Sequence, residues 1–222
     1  MRQPAILLAR TIGFLDVPAL NYGHIYFPEL VGELVERYKF QNFPKTSEES
    51  DLTKGIKFLD GICGKVPVQQ FAIWDSQIVV ETLTETDDSK AVLEEILRWG
   101  AEKFRLSYFS DSIKRFAYIS DVTFYSDAPM LILNGAAERL SAEISKHLTD
   151  IWKEPITYEP IILRVGHDPT ARKYNIAPFT IERRGGVSFK EEKYFSEAPL
   201  PTKLHLELLE QFEREMLMST NG

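Results

Sequence analysis

The most polar stretch of the chain is Arg164-Val165-Gly166-His167-Asp168-Pro169-Thr170-Ala171-Arg172-Lys173. His167 can exchange a proton near neutral pH, Asp168 beside it offers an orienting carboxylate, and Arg164, Arg172 and Lys173 offer cations for an anion. Adjacent loop residues usually point apart, and Asp-Pro is an ordinary turn opener, so a plain turn competes with the catalytic reading. Further on, Glu191 and Lys193 form a Glu-x-Lys spacing that on a strand puts both side chains on one face. Joined by Asp168, that set fits a metal-dependent phosphodiesterase or nuclease, with carboxylates holding magnesium and the lysine near the attacked phosphate. The same spacing is common on solvated strand faces. From Arg164 to Lys193, Arg183 and Arg184 help make seven basic residues against four acidic ones, on a chain whose net charge is −7. Such asymmetry steers an acidic partner to one end, though mixed surface charge is equally usual.

Tyr22, His24 and Tyr26 stand in an aromatic run, Asn21 to Phe27, ahead of a helix. Tyrosine covers contact area at low entropic cost, which suits a binding loop; a hydrophobic clamp on the helix start is the alternative. His147 and His205 lack the spaced partners of a metal site and read as structural. No Gly-x-Ser-x-Gly, His-Glu-x-x-His or Gly-x-Gly-x-x-Gly pattern occurs. Gly61-Ile62-Cys63-Gly64-Lys65-Val66 resembles a phosphate loop only superficially, because its glycines are too close and no Ser or Thr follows the lysine. No metal and no cofactor is expected, and an enzyme is the less favoured class.

Those residues need elements to position them. The 222 residues are 44% hydrophobic and 27% charged, ordinary for a globular chain able to bury a core. No apolar run approaches the roughly 18 to 20 residues that cross a bilayer, and Arg10 interrupts the opening stretch before a secretion signal forms. One cysteine, Cys63, excludes an internal disulfide and fits a reducing, cytoplasmic setting. The net charge of −7 disfavours nucleic acid as a partner.

Two halves share a plan. Phe14 to Leu20 corresponds to Phe124 to Met130, Phe71 to Asp75 to Phe179 to Arg183, and Ser89 to Trp99 to Thr202 to Phe212, at offsets of 110, 108 and 113. Each half reads as β-α-β-β-β-α. The first has strands over Ile6–Val17, Gly55–Ile62, Val68–Trp74 and Gln77–Leu83, a helix over Pro28–Phe40, and a later helix capped by Asp87 or Asp88. The second has strands over Phe116–Tyr125 and Thr157–Val165, the latter broken by Pro160 and so at an edge, and a hairpin at Gly185-Gly186 running into Val187-Ser188-Phe189-Lys190. Asn134 caps a helix with inner face Ala137, Leu140, Ile144, Leu148 and Ile151; Pro201 opens the last helix, with stripe Leu204, Leu208, Leu209, Phe212 and Met216.

The expected fold is therefore α+β, a tandem duplication over residues 1–110 and 111–222, either as two domains or fused as one continuous-sheet domain, mainly antiparallel, with helices on one face. In element order it resembles the saddle of TATA-box-binding-protein-like folds, one strand short per half, a likeness that carries no functional residue across. The expected function is a non-catalytic binding or scaffold protein that meets a protein partner or a second copy through its open sheet face and loops, without a membrane. The phosphodiesterase reading stands as the alternative.

Overall fold

The alternating runs on either side of Asp75-Ser76 pair as a hairpin, closed by the Trp74 amide donating to the Gln77 carbonyl at 2.9 Å. This hairpin is part of an α+β fold seen in a computed structural model that describes residues 1–21, 27–46, 48–109, 111–168, 170 and 176–220. The strands are β1 (Arg2–Phe14), β2 (Ile56–Cys63), β3 (Val66–Ile73), β4 (Gln77–Thr82), β5 (Arg115–Tyr125), β6 (Ile162–Val165), β7 (Phe179–Arg183) and β8 (Lys193–Ala198). The helices are α1 (Val17–Asn21), α2 (Phe27–Tyr38), α3 (Thr86–Phe104), α4 (Gly135–Trp152) and α5 (Thr202–Thr220). The strands form one large antiparallel sheet in the order β2-β3-β4-β1-β5-β8-β7-β6. Among the described residues no helix is long and apolar enough to cross a membrane.

The chain falls into two compact units. The larger comprises Ile6–Asp121 and Pro199–Leu204; the smaller comprises Met1–Ala5, Val122–Ala198 and His205–Gly222. In the larger unit α2 and α3 pack on one face of the strands, because both have their apolar residues at helical spacing. Val31, Leu34 and Tyr38 of α2 and Val92, Leu93, Ile96 and Leu97 of α3 join Phe58, Phe71, Ile73, Ile78 and Val80 in one buried cluster. The opposite face is polar where Arg10 pairs with Glu81, which also accepts from Gln70. Gly55, at φ +82°, lies against the Trp74 ring; a Cβ there would stand 2.2 Å from the indole nitrogen.

The start of α3 departs from the expected cap. Asp87 and Asp88 lie inside the first turn, where their charge complements the helix dipole, and Glu85 occupies the cap without a side-chain hydrogen bond. The free donors are met otherwise. The Thr86 amide donates to the Thr202 hydroxyl at 3.1 Å, and the Thr202 amide donates to the Thr86 hydroxyl at 2.8 Å, so the first residues of α3 and α5 cap each other.

The smaller unit has a more polar core. Phe124, Met130, Ile181, Tyr194 and Leu209 are buried beside Arg183, Ser196, His205 and Glu213. Glu213 accepts from Ser126 Oγ at 2.7 Å and the Asp127 amide at 2.8 Å, and pairs with the Met1 ammonium. Burial pushes the Glu213 carboxyl upward, but these donors together outweigh it and hold it below the usual carboxylate range. Because His205 and Glu213 find partners inside, the buried side of α5 runs Thr202, His205, Leu209, Glu213, Met216, while Leu204 and Leu208 of the expected stripe stay exposed.

Three further expectations change in this unit. Asn134 does cap α4, its side chain accepting from the Ala136 amide at 2.7 Å, but none of α4 is buried, including all five residues expected on its inner face. The chain after β7 does not resume as a strand at Val187; it turns through Gly186 at φ +76° and a 3-10 turn at Phe189–Glu191, and β8 begins only at Lys193. The strand expected over Thr157–Val165 forms only at Ile162–Val165, past Pro160, and is the outermost strand at its edge of the sheet.

Candidate functional site

The 3-10 turn takes apart the expected Glu-x-Lys pair. Glu191 ends that turn, Glu192 follows in the left-handed region at φ +46°, and Lys193 opens β8 with its ammonium 4.7 Å from the Tyr125 ring centroid. The two residues therefore do not share a strand face. Among the described residues no group of three His, Cys, Asp or Glu side chains is placed to hold a metal ion.

His167 and Asp168 are each engaged locally. The Ile176 amide donates to His167 Nε2 at 3.2 Å, so that nitrogen carries no proton, and Nδ1 donates to the Asp168 carbonyl at 2.9 Å. Both ring nitrogens are thus spent on backbone. The Asp168 carboxylate accepts from the amide and hydroxyl of Thr170 at 2.8 and 2.7 Å, bonds that pull its pKa down, so it does not serve as the orienting group for His167. Arg172 and Lys173, like Tyr22, His24 and Tyr26, lie outside the described residues.

The remaining cations divide by burial. Arg183 is interior, its side chain only 4% exposed. It donates to Glu159 at 2.8 Å, Glu192 at 3.1 Å and the Phe189 carbonyl at 2.8 Å, with its guanidinium over the Phe189 and Tyr194 rings. The Tyr194 hydroxyl donates to Glu192 and accepts from the Met130 amide. Burial, then the Glu192 contact, pushes the Tyr194 phenol well above its ordinary value, so it remains a donor. Arg183 is consequently a structural hub and not a receptor for an external anion. Arg184 and Arg164 are exposed, the first stacked near Phe195, the second reaching the Thr180 hydroxyl at 3.4 Å.

Two clusters that the sequence did not single out have the composition of reactive sites. Ser196 Oγ and His205 Nε2 are 2.8 Å apart and fully buried. The serine proton goes to the Thr180 carbonyl at 2.6 Å, so Nε2 must donate to the serine oxygen, the reverse of a base activating a nucleophile. In the larger unit Glu95 accepts from Tyr38 and from Arg37 at 2.8 Å, with Cys63 Sγ at 3.7 Å. Burial, then the Glu95 charge, pushes the Cys63 thiol up to about 11, which makes it a poor nucleophile. The larger unit also contains a cavity of about 300 Å³ walled almost wholly by apolar groups, among them Leu20, Leu34, Phe71, Ile96 and Trp99, with no charged side chain among its described lining residues.

What distinguishes the smaller unit is apolar surface. Leu140, Ile151 and Trp152 of α4 are 62, 71 and 67% exposed, and Ile161, Ile162 and Val165 on and beside β6 are 57, 47 and 58% exposed. The helix is anchored instead to the chain that follows it, through Ser145 Oγ accepting from the Tyr158 amide at 2.8 Å and Thr149 Oγ1 from the Ile156 amide at 3.0 Å. Sequence reasoning found the stripe of α4 but assigned it to the core, and it missed Trp152 altogether. The available signal was a tryptophan directly after Ile151, the last residue of that stripe. Comparison with protein-family models finds no match, and comparison with curated proteins finds none.

Proposed function

We propose that this chain is a protein-binding module whose contact surface lies on the smaller unit, at the exposed apolar residues of α4 and at the edge of β6. The observation that carries the reading is α4 itself: an amphipathic helix of 18 residues with none buried. Amphipathic helices gain most of their stability from covering their apolar face, and contiguous exposed apolar surface on a folded protein marks a contact site. Trp152 and the aliphatic residues beside it have the composition of an interface core. The surface differs from the open sheet face expected from sequence, which in the larger unit is polar at Arg10, Gln70 and Glu81.

The same reading takes the chain as a duplicated β-α-β-β-β-α unit of saddle type acting in the cytoplasm. It is supported by the order of elements, which runs β1-α1-α2-β2-β3-β4-α3 and then β5-α4-β6-β7-β8-α5, and by the reciprocal Thr86 and Thr202 caps. The test is a comparison of wild type with a Leu140→Arg/Trp152→Arg variant as baits in cross-linking with mass spectrometry. A bound protein, whether another chain or a second copy, is expected on wild type and at least tenfold reduced on the variant, with the melting temperature unchanged. Equal capture by both baits, or none by either, overturns the proposal.

A further inference from the structure

The two outermost strands of the sheet end differently. At β2 the chain covers its own edge: the Gln41 and Asn42 amides donate to the Leu59 carbonyl at 3.1 and 3.3 Å, and the Leu59 amide donates to the Asn42 carbonyl at 2.8 Å. At β6 no such cover exists among the described residues. The β6–β7 register pairs Ile162 with Glu182, Leu163 with Ile181, Arg164 with Thr180 and Val165 with Phe179, and the Arg183 amide donates to the Ile161 carbonyl. Backbone groups alternate sides along an antiparallel strand, so Ile161, Leu163 and Val165 turn theirs toward β7. Those of Ile162 and Arg164 point away from the sheet. A four-residue edge with one charge, no proline within it and outward donors and acceptors that no described residue meets is a template for another strand.

We infer that the partner on this surface is a second copy of the chain, joined β6 to β6 across a two-fold axis at Leu163; this rests on the protein-binding reading above. Only one self-pairing uses the edge well. With Ile162 opposite Arg164 of the other copy, each pair exchanges both backbone bonds, giving about four in all, and Leu163 meets Leu163 on the axis in the close, non-hydrogen-bonded position. Arg164 opposite Arg164 would set like charges face to face. Ile162 opposite Ile162 would place Pro160, which lacks a donor, against Arg164. The chosen register also aligns charge. Arg164 of one copy falls in the same cross-strand row as Ile162 and Glu182 of the other, so cation and carboxylate flank the isoleucine on the same face.

The experiment uses the full chain in a Cys63→Ser background. Sedimentation velocity across a wide concentration range is expected to show a monomer–dimer equilibrium. Leu163→Cys is expected to form an intermolecular disulfide under mild oxidation, because close pairs across strands fall within disulfide reach, whereas Val165→Cys is not. Arg164→Pro removes an outward donor without touching the β7 ladder and is expected to weaken the dimer at least tenfold, with the melting temperature unchanged when measured at concentrations where both proteins are monomeric. A dimer that cross-links equally through position 165, or that survives Arg164→Pro, overturns the edge pairing. A strict monomer overturns the second copy as partner, while a different protein captured through α4 would still uphold the protein-binding reading.

Discussion

Replacing Arg183 by methionine separates a structural hub from an anion receptor. The guanidinium makes charge-assisted bonds to Glu159 and Glu192 and one to the Phe189 carbonyl, all between 2.8 and 3.1 Å, and covers two aromatic rings. Methionine keeps most of the packing volume and none of the bonds. Breaking a buried pair by removing one partner costs about 3–5 kcal/mol when the other charge stays buried. Here the side chains of Glu159 and Glu192 are 37 and 27% exposed and regain some water, which lowers the expectation to about 2–3 kcal/mol. For a unit of this size that is a fall of roughly 10–20 °C in melting temperature. Urea titration read by circular dichroism should show a lower midpoint at unchanged slope. Arg183→Lys should fall between, since an ammonium cannot reproduce the fork that reaches Glu159, Glu192 and the Phe189 carbonyl together. A site that strains the free protein to bind an anion predicts the opposite, neutral or higher stability on losing its cation. Arg183→Met within about 0.5 kcal/mol of wild type would refute the hub.

Gly32 lies exposed inside α2, and a Cβ there meets no atom within 4 Å; Gly32→Ala should therefore stabilise the chain by about 0.5–1 kcal/mol through helix propensity alone, read as a raised urea midpoint. Cys63, its thiol held up to about 11 by burial and then by Glu95, should be mostly protonated at pH 8. Thiolate chemistry then makes its alkylation roughly 100-fold slower than that of an ordinary cysteine, with the rate still rising above pH 10; a plateau below pH 9 would contradict the environment described for it.

Signals confined to neighbouring residues were legible in the sequence. Asn134 caps its helix because a short polar side chain reaches its own next turn, and Pro160 marks the edge because it cannot donate to a ladder. The α5 stripe was misread for the opposite reason. His205 and Glu213 become interior only because Ser196 and Ser126, distant in sequence, supply their hydrogen bonds, and no helical period encodes a partner. The sequence reads Arg183 as surface charge for the same cause: its ion-pair partners are Glu159 and Glu192, on either side of β7. Glu191 and Lys193 followed a strand pattern that the 3-10 turn interrupts.

The misassignment of α4 bears most directly on function. Periodicity states that a helix has a face able to be buried, not what buries it. In the larger unit α2, the first long helix after the opening strand, puts Val31, Leu34 and Tyr38 into a core shared with α3. In the smaller unit α4 follows its opening strand in the same way and keeps the same kind of stripe, yet it is tied to its own trailing segment by Ser145 and Thr149, while buried polar pairs around Arg183, His205 and Glu213 fill much of the interior. An 18-residue helix gains little stability from propensity and caps alone, and with Ile144 and Leu148 only half-buried and Leu140 and Ile151 exposed, much of the stripe is stabilisation the isolated chain leaves unused. A partner that covers it adds that stabilisation to binding, which is why α4 and the β6 edge, rather than the polar sheet face, are the surfaces where association gains the most.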